Sequence, residues 1–122
     1  MRKIVTLHDK TFQLFIREED IQQRVGELGS ALRMRYNEKR PLFISILNGA
    51  FIFAADLVRA YDEECEIMFV RLASYDGISS TGEVITILGL DPEKVKNRDI
   101  ILVEDIIDSG KTLADFMKTL QS

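Results

Sequence analysis

Apolar residues recur along this chain in two rhythms. Ile21, Val25, Leu28, Leu32 and Tyr36 fall three or four positions apart, with Arg, Glu and Gln filling the other faces. That is the spacing of one face of an amphipathic helix. Glu18, Glu19 and Asp20 suit its first turn, where the helix dipole favours negative charge. After Pro41 the pattern changes: Leu42-Phe43-Ile44-Ser45-Ile46-Leu47 is a short apolar run, which reads as a strand buried on both faces. Asn48-Gly49-Ala50 breaks it, and helical spacing resumes through Phe51, Ala54, Ala55 and Val58 to Tyr61. Glu66 to Leu72 is a second strand-like run, so the three segments predict a βαβ unit with a right-handed crossover. Ser74 to Gly82 is rich in turn formers and small hydroxyls, and Glu83 to Leu88 alternates as a strand does. These two strands should be joined by a long, mobile connection. Asp91 to Arg98 reads as a solvated linker, Asp99 to Glu104 as the strongest strand, and a helix is expected from Lys111 or Thr112 to the C-terminus. The chain has no internal repeat. The architecture predicted is α/β, with a mostly parallel sheet flanked by helices.

The length of 122 residues admits one domain with a single core. A formal net charge of -4 speaks against non-specific attraction to nucleic acid or anionic membrane. No apolar run approaches the roughly 20 residues of a membrane span. The N-terminus starts basic but lacks a sustained apolar segment, so it does not read as a signal peptide. With one cysteine, Cys65, no disulfide framework is available, and a reducing, cytoplasmic setting is expected. One cysteine and one histidine cannot build a thiolate or imidazole zinc site. Oxygen ligands remain, and they point to Mg2+.

The chemistry concentrates in Val103-Glu104-Asp105-Ile106-Ile107-Asp108-Ser109-Gly110-Lys111-Thr112. In open α/β sheets ligands bind at the carboxyl ends of strands, and Glu104 and Asp105 lie at such an end. Two adjacent carboxylates there repel each other and lose hydration, so they call for a cation or for hydrogen-bond donors. Ribose hydroxyls and a bound Mg2+ would supply both. Asp108 to Thr112 then turns into a helix whose free N–H groups and hydroxyls form a nest for a phosphate. Gly110 lets the backbone come close to that anion. Helix capping by Asp108 or Ser109 would account for one residue but not for the whole string. A Walker A loop, suggested by Gly110-Lys111-Thr112, needs Gly five positions before Gly110, where Asp105 stands.

The string resembles the signature of the type I phosphoribosyltransferases: two acids, two apolar residues and an Asp-(Ser/Thr)-Gly-Lys-Thr loop. More narrowly, the chain resembles the hypoxanthine and hypoxanthine-guanine phosphoribosyltransferases of purine salvage. Leu47 to Leu57 is similar to that family's diphosphate loop and following helix, and Arg71 to Tyr75 with Ser80-Thr81-Gly82 to its flexible catalytic loop. The resemblance spans nearly the whole chain. It implies transfer of a ribose 5-phosphate unit from phosphoribosyl diphosphate to a purine nitrogen, with an oxocarbenium-like transition state stabilised largely by electrostatic positioning.

Residue by residue, the resemblance assigns Glu104 and Asp105 to the ribose hydroxyls, directly or through Mg2+. Asp108 matches the acid/base residue beside the purine N7. Asp108, Ser109, Gly110, Lys111 and Thr112 match the 5-phosphate loop. Asn48 and Gly49 would turn backbone N–H groups to the diphosphate across a cis Leu47–Asn48 bond, with Asn48 standing where the family often has Lys. Ser74 and Tyr75 would close over the diphosphate and keep water out. The same resemblance implies a homo-oligomer, dimer or tetramer, whose partners are phosphoribosyl diphosphate and a purine base. It also implies further strands after the last helix, bearing the residues that recognise the base. Residues 1–122 would then be a phosphoribosyltransferase domain without its base-recognition portion. Two readings follow: an active transferase, or a non-catalytic module that binds ribose phosphate or assembles with a partner.

Overall fold

The computed structural model describes residues 4–76, 83–106 and 111–121, with the side chains of 73–76, 83–86 and 111–112 outside the description. Its centre is a four-stranded sheet in the order β5(Glu83–Leu88)-β4(Glu66–Asp76)-β3(Leu42–Ile46)-β6(Ile100–Val103). β3 runs parallel to β4 and to β6, whereas β4 and β5 are antiparallel. All five residues of β3 are buried, as its unbroken apolar run requires of a strand covered on both faces.

The helices α1(Glu18–Tyr36) and α2(Phe51–Tyr61) lie on one face of this sheet, and α4(Lys111–Gln121) lies on the other. On the first side Val25, Ala54, Leu57 and Tyr61 pack on Phe43 and Val103. On the second, Phe116 packs on Leu42, Ile44, Ile46, Met68 and Val70. The alternation along β3 therefore feeds two cores at once, Phe43 to one and its even-numbered neighbours to the other. Phe43 and Tyr61 meet edge to face with centroids 5.3 Å apart, a favoured aromatic geometry. Where α1 crosses α2, a β-carbon on Gly29 would stand 2.7 Å from Ala60 backbone atoms, so only glycine permits this approach.

Several expectations are sharpened here. Ile21 lies on the predicted apolar face of α1 but is 49% exposed, where it lines an apolar hollow with Ile16, Leu28 and Phe53 of α2. The polar stretch after Leu72 does not begin as a loop: β4 continues through Asp76 and pairs with β5, Ser74 with Ile85 and Tyr75 with Val84. A ribbon of this kind satisfies its backbone through its partner strand and needs no apolar rhythm. The stretch read as a linker holds a short helix, α3(Pro92–Val95), opened by the Asp91 side chain, which accepts the Glu93 N–H at 3.1 Å. An N-terminal hairpin, β1(Ile4–Leu7) and β2(Lys10–Gln13), had no counterpart in the sequence reading. Both its strands are exposed throughout, so no buried face imposes a pattern on them. No described helix is long and apolar enough to cross a membrane.

Candidate active site

β3 feeds its chain toward β4 through α2, while β6 pairs on the opposite side of β3. The carboxyl ends of β3 and β6 thus flank the point where the strand order reverses, the usual place for a ligand in such sheets. Two segments singled out in the sequence meet there. After β3, Leu47 to Ala50 forms a turn into α2, with the Leu47–Asn48 bond cis, as the resemblance implies. After β6 come Glu104 and Asp105. The Asp105 carboxylate lies against the open face of Gly49: a β-carbon built there would collide with Oδ2 and lie 2.8 Å from Cγ.

Ala50 is wholly buried beneath the turn, while Asn48 and Gly49 are exposed. Their N–H groups have no partner among the described residues, whereas the Asn48 carbonyl accepts the Phe51 N–H at 3.3 Å. The turn thereby presents donors outward and anchors itself through its acceptor.

Across it, Glu104 Oε1 accepts the Asp105 N–H and Asp105 Oδ1 accepts the Ile106 N–H, each at 2.8 Å. Burial pushes the Glu104 carboxyl above its ordinary range, helped by the adjoining Asp105 side chain. Hydrogen bonds from the Glu104 carboxyl and the Ile106 N–H hold Asp105 below its own. The two side chains therefore act on each other's protonation in opposite directions. Among the described residues no third His, Cys, Asp or Glu joins them into a metal-binding group. Two carboxylates alone fit Mg2+, which keeps several waters and takes its other ligands from phosphates.

The structure thus brings together Asn48, Gly49, Glu104 and Asp105. Ser74 and Tyr75 are placed by backbone only: β3 ends at Ile46 beside Val70, and the β4–β5 ribbon that carries them runs on past that end. Lys111 and Thr112 open α4, which matches the predicted helix start. Asp108, Ser109 and Gly110 lie outside the described residues. One neighbour, matched to the catalytic-loop segment but given no role of its own there, is Arg71, whose Nη2 donates to Asn48 Oδ1 at 2.8 Å. A lone cation at the far end of an otherwise apolar run was the available signal.

These features define an α/β domain that brings an acidic pair and a glycine turn together at its switch point, and residues 17–122 match the family model of the phosphoribosyl transferase domain. The chain belongs to that family. It is similar to the hypoxanthine-guanine phosphoribosyltransferase of Bacillus subtilis (strain 168), with 45% identity over 103 residues, 84% of this chain and 57% of the relative. Against that of Aquifex aeolicus (strain VF5) the identity is 36% over 111 residues, 89% of this chain and 62% of the relative. Among solved structures, a hypoxanthine phosphoribosyltransferase from Staphylococcus aureus superposes with a TM-score of 0.75 at 33% identity, covering 88% of this chain and 59% of that one. The chain therefore spans about three fifths of the length of these relatives.

Proposed function

We propose that this chain carries the sugar-phosphate side of a transferase that moves the 5-phosphoribosyl group from phosphoribosyl diphosphate to hypoxanthine or guanine. The purine nucleoside monophosphate and diphosphate are the products. One observation carries this reading: the Asp105 carboxylate seated on Gly49, which joins the ribose segment to the diphosphate segment at a single strand edge. Close relatives bearing the name hypoxanthine-guanine phosphoribosyltransferase support it.

In this reading the bond from the ribose C1 to the diphosphate oxygen breaks as the bond to the purine nitrogen forms. Glu104 and Asp105 hold the ribose hydroxyls, and their carboxylates face the positive charge that develops on the sugar. The N–H groups of Asn48 and Gly49 receive the leaving diphosphate. Ser109, Gly110, Lys111 and Thr112, together with Asp108, hold the 5-phosphate at the start of α4. Asp108 takes the proton that the base must lose. Ser74 and Tyr75 cover the diphosphate and exclude water. Glu104 and Asp105 are also the residues that would hold Mg2+, which when bound neutralises diphosphate charge. A cytoplasmic homo-oligomer is the expected setting.

The test is direct: the chain is mixed with phosphoribosyl diphosphate, Mg2+ and hypoxanthine, and inosine monophosphate is followed. Binding of phosphoribosyl diphosphate is the expected result, and product at an enzyme-like rate would show in addition that the chain turns over by itself. Binding of phosphoribosyl diphosphate without turnover would make the chain a binding module. Absence of both would overturn the reading.

A further inference from the structure

The strand order β4-β3-β6 lays three kinds of group in a row along one edge of the sheet. Asp105 follows β6, the Leu47 to Ala50 turn follows β3, and Arg71 stands on β4 one residue beyond Val70, the partner of β3's last residue. We propose that Arg71 is a diphosphate-binding residue, supplying the cation on the side of the turn opposite Asp105. This rests on the reading of the site given above and extends it to a residue that reading does not use.

The geometry favours a ligand contact over a purely structural one. Arg71 is exposed and has no carboxylate partner among the described residues. Its one hydrogen bond among the described residues, from Nη2 to Asn48 Oδ1 at 2.8 Å, goes to a neutral group. A guanidinium carries five N–H donors in a rigid fork, and the Asn48 bond leaves Nε–H and Nη1 without a partner among the described residues. That bond also restrains a long side chain beside the turn, which lowers the entropy lost when an anion arrives. The unpartnered N–H groups of Asn48 and Gly49 lie next to it. Together these donors form a cradle for phosphate oxygens, and the planar fork matches them in a paired, charge-assisted contact.

The acidic pair sets the direction. A diphosphate on this turn has carboxylates on one side, where charge repels it unless a cation intervenes. On the other side is Arg71, where no such help is needed. The ligand's remaining oxygens should therefore face Arg71, while Glu104 and Asp105 would hold the Mg2+ that offsets the repulsion on their side.

Titration calorimetry of the 122-residue chain separates this role from its alternatives. Two probes are used, inorganic diphosphate with Mg2+ and ribose 5-phosphate. Arg71→Gln is expected to weaken diphosphate about tenfold or more, the usual effect of losing a charge-assisted pair. Ribose 5-phosphate should bind unchanged, and the salt dependence of diphosphate binding should flatten. Arg71→Lys keeps the charge without the fork. It should lose part of the diphosphate affinity, and it gives the same contrast should the Gln variant fail to fold. Unchanged diphosphate affinity in both variants would overturn the proposal. So would an equal loss for both probes, which would make Arg71 a strut for the whole site. If the parent chain bound ribose 5-phosphate but no diphosphate, the Arg71 assignment would fall while the 5-phosphate loop stood. Failure of both probes would sink both readings.

Discussion

Replacing Gly49 by Ala should uncouple folding from ligand binding. The glycine φ lies outside the left-handed region, so alanine meets no backbone strain there. What it meets is Asp105: the new β-carbon would collide with Oδ2, lie 2.8 Å from Cγ and 3.4 Å from Cβ. Carbon atoms pack comfortably at about 3.5 Å or more. Cβ of Asp105 is thus nearly acceptable where it stands, and the atoms beyond it must retreat by roughly 0.7 Å or more. Rotation about the Cα–Cβ bond achieves this without moving β6. It carries Oδ1 off the Ile106 N–H and takes the carboxylate away from the turn. Asp105 is exposed, so the displaced group finds water, and alanine narrows the unfolded ensemble. The net change in stability should stay within about 1 kcal/mol. Binding is a different matter. A misplacement near 1 Å in a positioning group, or loss of one such support, weakens affinity or turnover by roughly 10–100-fold. Urea unfolding reads the first quantity, and calorimetry with phosphoribosyl diphosphate and Mg2+ reads the second. Gly49→Ala with Asp105→Ala should bind no worse than Asp105→Ala alone, because both act through the same carboxylate. Full affinity in Gly49→Ala would refute the reasoning. Additive losses in the double variant would also refute it, by showing that the turn suffers independently of Asp105.

Three other outcomes are expected. Gly26 and Gly29 lie on the same helix, but a β-carbon at Gly26 meets nothing within 4 Å while one at Gly29 runs into Ala60 backbone. Gly26→Ala should therefore stabilise by about 0.5–1 kcal/mol, and Gly29→Ala should destabilise by roughly 1–3 kcal/mol as α1 is forced off α2; thermal melts that rank them the other way would show the helix crossing to be misplaced. Arg98 donates to Glu66 Oε1 and to the Arg40 carbonyl, each at 2.8 Å, at the end of the sheet away from the site. Arg98→Ala should lower stability by about 1 kcal/mol, its ion pair being partly exposed, and leave ligand binding untouched, as chemical denaturation and calorimetry would show together. Asp108→Asn should keep phosphoribosyl diphosphate binding and abolish inosine monophosphate formation; undiminished turnover would remove Asp108 from proton transfer.

The parts of the fold legible in the sequence were those where burial imposes a rhythm. β3 had to be apolar at every position because both faces are covered, and α2 had to repeat every three to four residues because one face meets the sheet. The β1–β2 hairpin and the outer half of β4 carry no such rhythm. The hairpin is exposed on its faces, and both are held by main-chain pairing, which any sequence can supply. Ile21 shows the reverse limit: its spacing is right for the core face of α1, yet it is half exposed beside Phe53 of α2. Periodicity states which residues could face a core, and only the crossing of elements decides how far that core extends.

The site divides along the same line. Glu104 and Asp105 were legible because two acids after an apolar strand are chemically costly without a ligand, and Gly49 because a glycine breaks a buried run. Their contact was not legible. It depends on β6 choosing the edge of β3 opposite β4, a pairing that neither segment encodes by itself. The same choice turns Arg71 from an odd charge in a strand into the flank of an anion cradle, since it lies beside the turn only because β4 borders β3 on the other side. Acid, open N–H groups and guanidinium thus reach one edge on three strands that are distant in sequence. A change in β3 that leaves all of these residues intact but tilts the strand should disturb the ligand more than the fold, because the fold needs only the buried faces and the site needs the order along the edge.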